Sequence, residues 1–369
     1  MRISSPLTRD TQQLLSDLLY VIEKVFPLPL RLQAQVPQTV ATLSRLLTAE
    51  RGARTVIYLN NRQHLSAYIR YFLPWNCYKL VKLLPNLSLD IADGDSITDL
   101  GSGPLTFALA LWISRPDLRK RRIEIRCVDH AGAALEAGKK LFKVYTDSTW
   151  TVSGIHSSVH GPIFGNRARL VSAINLFNEQ YEHIPHRADL LQTAYPLADL
   201  LSARTSDGIL VVEPGIPQAG HFISSLRQAL LEKRIMPHSP CCHRERCPLP
   251  FNSQKWCHFA FDTADAPVAL QKLSQAAGIP KKRATLSFIY TRSKAPQTQH
   301  GGRVLSDMFP LSYSLCGRYA CSACGLVLIG AQPSLMKQYD SGSCISFKKD
   351  PTRHDLKSGA WYSPFPEWS

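Results

Sequence analysis

A chain of 369 residues, 44% of them hydrophobic, can bury at least one large core, and no apolar run is long enough to span a bilayer. Forty-three Lys and Arg against 28 Asp and Glu give a net charge of +15, which favours a polyanionic partner, most commonly nucleic acid. The opening stretch MRISSPLTRDTQQLL has no apolar segment followed by small residues, so no secretory signal is expected and the protein is placed in the cytoplasm. There its ten cysteines stay reduced unless they bind metal.

Residues 1–93 read as a helical domain. The stretch 11–26 puts Leu14, Leu15, Leu18, Leu19 and Ile22 on one face and stops before Pro27-Leu28-Pro29; 39–47 and 65–84 continue the pattern. Tyr68, Tyr71, Phe72, Trp75 and Tyr78 crowd together at helical spacing, which favours a core over an RNA-stacking surface. These helices are expected to act as a cover or docking arm.

From Ile97 strands and helices alternate, which implies a parallel sheet covered on both faces. Strands are predicted at 97–101, 123–129, 149–155, 168–175 and 208–213, and helices at 104–114, 131–144, 187–203 and 217–233. A helix at 266–277 and a strand at 284–292 follow a cysteine-rich insertion at 237–259. Residues 94–300 thus form an α/β domain. Residues 301–369 form a small β module whose tail, from Gln332, is expected to lie extended along a surface. Basic residues cluster at 115–126 (RPDLRKRRIEIR), at Lys281-Lys282-Arg283, and at Lys348-Lys349 with Arg353 and Lys357. Such clustering suits a phosphate-tracking surface.

The stretch SITDLGSGPLTFALALWI, 96–113, runs from an apolar strand through Asp99, Gly101 and Gly103 into an apolar helix. The glycines allow a tight turn close to a ligand, and the helix points its first N–H groups at the same spot. The next strand ends in Asp129, a carboxylate placed to accept ribose hydroxyls. Thr106 holds the place where a dinucleotide fingerprint wants a third small residue, so S-adenosylmethionine suits the turn better than a dinucleotide. Asp99 is then expected near the amino-acid end of the ligand. The strand RLVSAINLFNE ends with Asn175, Asn178 and Glu179, where methyltransferases place groups that hold the acceptor, and Asn175 is expected to join the cofactor-binding residues; VVEPG brings Glu213 as either a buried cap or a pocket acid. No Asn-Pro-Pro-Tyr or Asp-Pro-Pro-Tyr clamp and no Pro-Cys nucleophile is present, so the catalytic chemistry stays unassigned. Methyl transfer needs little more than positioning of an acceptor, which keeps an active rRNA methyltransferase with a structural metal as the alternative function.

The segment PCCHRERCPLPFNSQKWCHF carries Cys241, Cys247 and Cys257, with Cys242, His243 and His258 beside them. Three thiols this close in a reducing compartment point to metal, and a distant fourth ligand is needed; Cys321 and Cys324 in RYACSACGLV are the candidates. Zinc and a four-cysteine iron–sulfur cluster both fit the spacing. Cys77, Cys127 and Cys344 are isolated and read as structural.

Three motifs together, DLGSGPLTFALA, VVEPG followed by PCCHRERCP and WCHF, and CSACGL, resemble the methyltransferase-like assembly proteins of the mitochondrial small ribosomal subunit and their bacterial relatives. The resemblance covers about residues 60–330. It implies a class I S-adenosylmethionine-dependent methyltransferase-like, Rossmann-like α/β domain with an added β module. It implies small-subunit rRNA and ribosomal proteins as partners and a 4Fe-4S cluster, zinc remaining the alternative that the cysteine spacing leaves open; a monomer off the ribosome is expected. It carries cluster ligation onto Cys241, Cys247, Cys257 and Cys321, and S-adenosylmethionine contact onto Asp99, Gly101, Gly103 and Asp129. Cys242 stands where the family has Pro, Cys324 takes a place more often acidic, and Leu105 replaces a small residue and is expected to narrow the pocket.

Overall fold

The computed structural model describes residues 2–48, 58–161, 166–181, 184, 187–249, 255–294, 301–312, 314–347 and 353–364, and the elements named below are those of the described residues. Helix α1 (Arg9–Val25) opens at Thr8, whose Oγ accepts the Thr11 N–H at 3.2 Å. It buries Leu15, Leu18, Ile22 and Val25, one stripe at helical spacing. Helix α2 (Leu30–Thr48) is longer than the predicted 39–47 and continuous through Pro37. Helix α3 (Arg62–Ala67) leads through a π-helical stretch, Tyr68–Phe72, into α4 (Leu73–Leu83).

The α/β unit then alternates: β1 (Ser96–Leu100), α5 (Thr106–Ser114), β2 (Glu124–Asp129), α6 (Gly132–Tyr145), β3 (Thr151–His156), β4 (Ala168–Ile174), the single turn α7 (Asn178–Tyr181), α8 (Arg187–Arg204), β5 (Thr205–Pro214) and α9 (Pro217–Glu232). Next come β6 (Pro237–Ser239), β7 (Phe259–Asp262), α10 (Val268–Ala276) and β8 (Arg283–Thr291). The strand order is β3-β2-β1-β4-β5-β8-β6, with β7 also paired to β8. The first five strands are parallel, and β8 runs antiparallel to β5. This order, with its penultimate strand reversed, is that of the class I methyltransferase-like fold expected from the sequence.

Helix α5 is apolar all round and every residue of it is buried, because it is sandwiched between the sheet and the N-terminal helices. Those helices do not have a core of their own: Leu15, Leu18, Ile22, Trp75 and Tyr78 join Phe107, Leu111 and Phe288 in one cluster on one face of the sheet. The opposite face is covered by α8 and α9 through Leu190, Leu197, Phe222 and Leu226. Most of the aromatic group at 68–78 is thus core, as its spacing favours; Tyr71, Trp75 and Tyr78 are buried.

The C-terminal residues build a second sheet from β9 (Gly302–Val304), β10 (Phe309–Pro310), β11 (Cys316–Ser322), β12 (Gly325–Ala331), β13 (Cys344–Ile345) and β14 (Trp361–Pro364), with the short helix α11 (Pro333–Met336). Its order is β13-β9-β11-β12-β14, with β10 on β11. The tail is therefore not simply extended along a surface: β13 pairs with β9 and β14 with β12, and Ile345 and Trp361 contribute to the module's own core.

Candidate functional site

The glycine turn sits at the C-terminal ends of β1 and β2. Gly101 and Gly103 both have positive φ, +66° and +51°, which glycine adopts without strain. A side chain at Gly101 would meet Leu176 Cδ1 at 2.5 Å, whereas nothing lies within 4 Å of a Cβ built at Gly103. Asp129 ties the turn together. One carboxylate oxygen accepts the Gly103 N–H at 2.7 Å, and the other accepts the Ala131 N–H at 2.7 Å, just ahead of α6. These bonds fix the carboxylate at the cavity wall.

Asp99 lies deeper. It is 1% exposed, accepts a hydrogen bond from Ser172 Oγ at 2.7 Å, and burial pushes its carboxyl up to about 7. It does not line the cavity. Asn175 does: it has φ +54°, its N–H donates to Val212 O at 2.7 Å, and its side-chain oxygen is buried with no hydrogen-bond partner. Glu213 resolves as a buried cap. Its two oxygens accept the Phe177 N–H and the Tyr181 O–H, each at 2.9 Å, so it pins the loop after β4. The Glu179 side chain lies outside the described residues.

The cavity over the turn is about 50 Å³ and is lined by Leu59, Tyr68, Asp129, Asn175 and Leu176 among others. Ligand pockets run to roughly 300–1,000 Å³, so the polar groups suit a nucleoside-type ligand while the space does not hold one without movement. Leu105 is not what narrows it. Its backbone is left-handed at φ +61° and its side chain packs where α6 comes closest, at Gly138. Leu176, Leu59 and Tyr68 fill the space, the last two from the N-terminal helices, whose sequence carries no signal for a role here.

The second centre forms where the cysteine insertion meets β11. The structure brings the distant Cys321 to the insertion, where its carbonyl meets Cys242 Sγ and its Sγ meets His243 Nε2, and Cys241, Cys247 and Cys257 act on it electrostatically. Burial, reinforced by repulsion between thiolates, pushes the Cys257 and Cys321 thiols well up; burial also raises Cys241, against the pull of Arg227. Cys242 faces backbone, with its Sγ 3.4 Å from the Cys321 carbonyl, and burial raises it to about 11. Cys324 is exposed and bonds Ser322 Oγ at 3.1 Å. His243 Nε2 lies 3.1 Å from Cys321 Sγ, and burial lowers its pKa to about 4. Among the described residues no group of three or more Cys, His, Asp or Glu side chains is gathered at coordinating distance. The donors converge without being drawn onto a common point.

The sequence reading missed Arg227 on α9. It is 3% exposed and donates from Nε to Cys241 Sγ at 3.2 Å. The only signal for it was a lone arginine within the apolar run HFISSLRQALL.

Much of the basic cluster at 115–126 is committed within the fold. Arg115 pairs with Asp117, Arg122 with Asp93, Arg119 stacks on Trp112 at 4.4 Å, and Arg126 is buried. Lys120, Lys282, Arg353 and Lys357 remain exposed, while Lys348 and Lys349 lie outside the described residues. Among the described residues no helix is long and apolar enough to cross a membrane.

A family model described as mitochondrial small ribosomal subunit Rsm22 matches residues 67–309. No curated protein matches the sequence. Similar solved structures include a class I S-adenosylmethionine-dependent methyltransferase from Listeria monocytogenes (9% identity, 79% of this chain and 90% of that one, TM-score 0.39). Two others are the magnesium protoporphyrin IX methyltransferase of Synechocystis PCC 6803 with bound S-adenosylmethionine (9%, 79% and 100%, 0.33) and the fibrillarin of Aeropyrum pernix (15%, 59% and 76%, 0.31). The fold assignment rests on the strand order rather than on these distant likenesses.

Proposed function

The chain belongs to the mitochondrial small ribosomal subunit Rsm22 family, and from that membership we propose that it is an assembly or translation factor of the small ribosomal subunit, methyltransferase-like in fold, that binds rRNA and holds a metal centre on four cysteines. The observation that carries the proposal is that Cys321, from the C-terminal sheet, lies against the cysteine insertion, its Sγ 3.1 Å from His243 Nε2 and its carbonyl 3.4 Å from Cys242 Sγ. Four thiols from two separate segments suit a 4Fe-4S cluster, with zinc the alternative. We propose a monomer off the ribosome, in the cytoplasm, divided near residues 93 and 300. Its RNA-binding face would use the exposed Lys120, Lys282, Arg353 and Lys357 with the net charge of +15.

Mixing the purified chain with small-subunit particles and sedimenting at near-physiological salt tests the ribosomal half; failure to co-sediment rejects it. The slope of binding against salt then counts the phosphates contacted. Metal analysis with optical spectroscopy after anaerobic purification tests the other half. A brown protein with four irons per chain is expected, a colourless one with stoichiometric zinc replaces the cluster, and a metal-free one rejects the centre.

One observation favours a second reading, an S-adenosylmethionine-dependent rRNA methyltransferase: the buried, unpartnered Asn175 oxygen beside Asp129 and the open Gly103. Such a site requires Leu176 and Tyr68 to swing aside. Calorimetry with S-adenosylmethionine decides it, and absence of heat at millimolar ligand removes this reading.

A further inference from the structure

We propose that Arg227 is a positioning residue that supplies a fixed positive charge, beside that of the buried Arg303, for an anionic metal–thiolate centre at Cys241, Cys247, Cys257 and Cys321; the proposal rests on the metal reading above. The guanidinium is buried on the inner face of α9. Its Nε donates to Cys241 Sγ at 3.2 Å, and one terminal nitrogen donates to the His243 and Glu245 carbonyls at 3.0 and 2.7 Å. The other terminal nitrogen is buried with no hydrogen-bond partner. Among the described residues no Asp or Glu side chain pairs with it, and the side-chain atom that its Nε meets is Cys241 Sγ.

An arginine does not give up its proton in a protein, so this position buries a full charge. Buried charges are ordinarily paired, because leaving one without a counter-charge is strongly destabilising. Thiols supply none. Four thiolates around a core of charge about +2, zinc or a four-iron cluster alike, leave about −2 on the centre, which gives Arg227 the counter-charge its surroundings otherwise lack. The two carbonyl bonds have a separate effect: they hold the stretch from His243 to Glu245, between the first two cysteines, against α9. Positioning of the cysteines and compensation of their charge thus meet in one side chain, in the manner of outer-shell partners that tune metal sites.

The test uses the full chain purified anaerobically as wild type, R227K and R227Q. Metal per chain is measured by elemental analysis, and release into excess EDTA is followed at the thiolate-to-metal absorption band. Compensation by charge predicts that R227Q releases metal at least tenfold faster than wild type while R227K stays within about threefold of it. Wild-type release rates in R227Q overturn the proposal. Equal acceleration in both variants also overturns it, because then only the carbonyl bonds matter. Should R227Q fold too poorly to measure, R227K carries the test: a full metal count supports the proposal and a metal-free R227K rejects it. A wild-type protein without metal rejects the centre itself, whereas a metal-loaded wild type with an indifferent R227Q rejects only the role of Arg227.

Discussion

Replacing Glu213 by Gln isolates the cost of burying a carboxylate under the loop after β4. The side chain is 0% exposed, and burial raises its pKa from 4.5 to about 7, against hydrogen bonds from Phe177, Tyr181 and their neighbours that favour the charged form. A carboxyl whose folded pKa lies above its unfolded value holds its proton more tightly in the native state. Its contribution is therefore greatest below pH 4.5, falls as the pH rises, and is lost above about pH 7. The loss amounts to about 3 kcal/mol at 1.36 kcal/mol per pKa unit. Gln keeps an oxygen for the Phe177 N–H, and the Tyr181 hydroxyl can turn to accept from the amide, so the substitution adds only an offset of about 1 kcal/mol that does not vary with pH. The raised Asp99 titrates in both proteins and cancels in the comparison when the two sites act independently. Lys79, whose pKa burial lowers to about 7 and whose charge Glu213 favours, loses that attraction in E213Q and takes a part of the gain back at pH 8. Urea denaturation of both proteins at pH 4.5 and pH 8 measures the difference. Relative to wild type, E213Q should gain up to about 3 kcal/mol between the two pH values. A difference that does not change with pH refutes a carboxyl held protonated by burial.

Three further outcomes are expected. Gly138→Ala puts a Cβ 2.5 Å from the Pro104 carbonyl carbon, where backbone cannot give way easily, and should cost about 1–3 kcal/mol in thermal or urea unfolding; an unchanged midpoint contradicts the close approach of α6 to the turn. Leu176→Ala removes the side chain that lies over Gly101, and calorimetry should show tighter S-adenosylmethionine binding than in wild type; equal affinities show that Leu176 does not limit the cavity. Asp265 accepts Lys82 Nζ at 2.6 Å, the Tyr78 hydroxyl at 2.5 Å and the Leu7 N–H at 3.1 Å. Asp265→Ala leaves the buried Lys82 without its partner and should cost about 3 kcal/mol, read by urea unfolding. The same bonds hold the Asp265 carboxyl below its usual range, so in wild type their contribution is present above the unfolded pKa of 3.8 and is lost as the pH falls through the lower folded value.

The parallel strands and their helices were legible because their signals are local. The apolar run of β1, the glycines after it, and the acid ending β2 each act within a few residues, and the predicted boundaries of β1, β2, β4 and α5 stand close to those found. What was illegible depends on partners far along the chain. β7 is only four residues long and gains its identity from pairing Phe259 with Leu286 on β8. β14 exists because Tyr362 finds Leu328. The direction of Leu105 followed from its left-handed backbone, which no residue type announces, and its side chain went to α6 instead of the cavity. Residue identity likewise placed Asp99 and Asp129 at strand ends but not their partners. Ser172 takes one, and the backbone amides of Gly103 and Ala131 take the other.

The cysteines show how an element can be legible in kind and illegible in consequence. Their type and spacing announce metal chemistry, yet only the fold shows that Cys321 lies on β11, in register with Arg303 of β9, so that a shared centre would fasten the second sheet to the first. That geometry sets the size of the effect. Closing the chain of about 64 residues between Cys257 and Cys321 removes entropy from the unfolded state worth about 4 kcal/mol by the estimate used for covalent cross-links. With the proposed metal centre in place, removing Cys321 should therefore weaken the join between the sheets more than it weakens either sheet. In Cys321→Ser, hydrogen exchange should speed up in β9, β11 and β12 while β1, β2 and β4 keep wild-type protection. Uniform loss across both sheets would mean that the two unfold as one unit, and that the cysteines do not set the boundary between them.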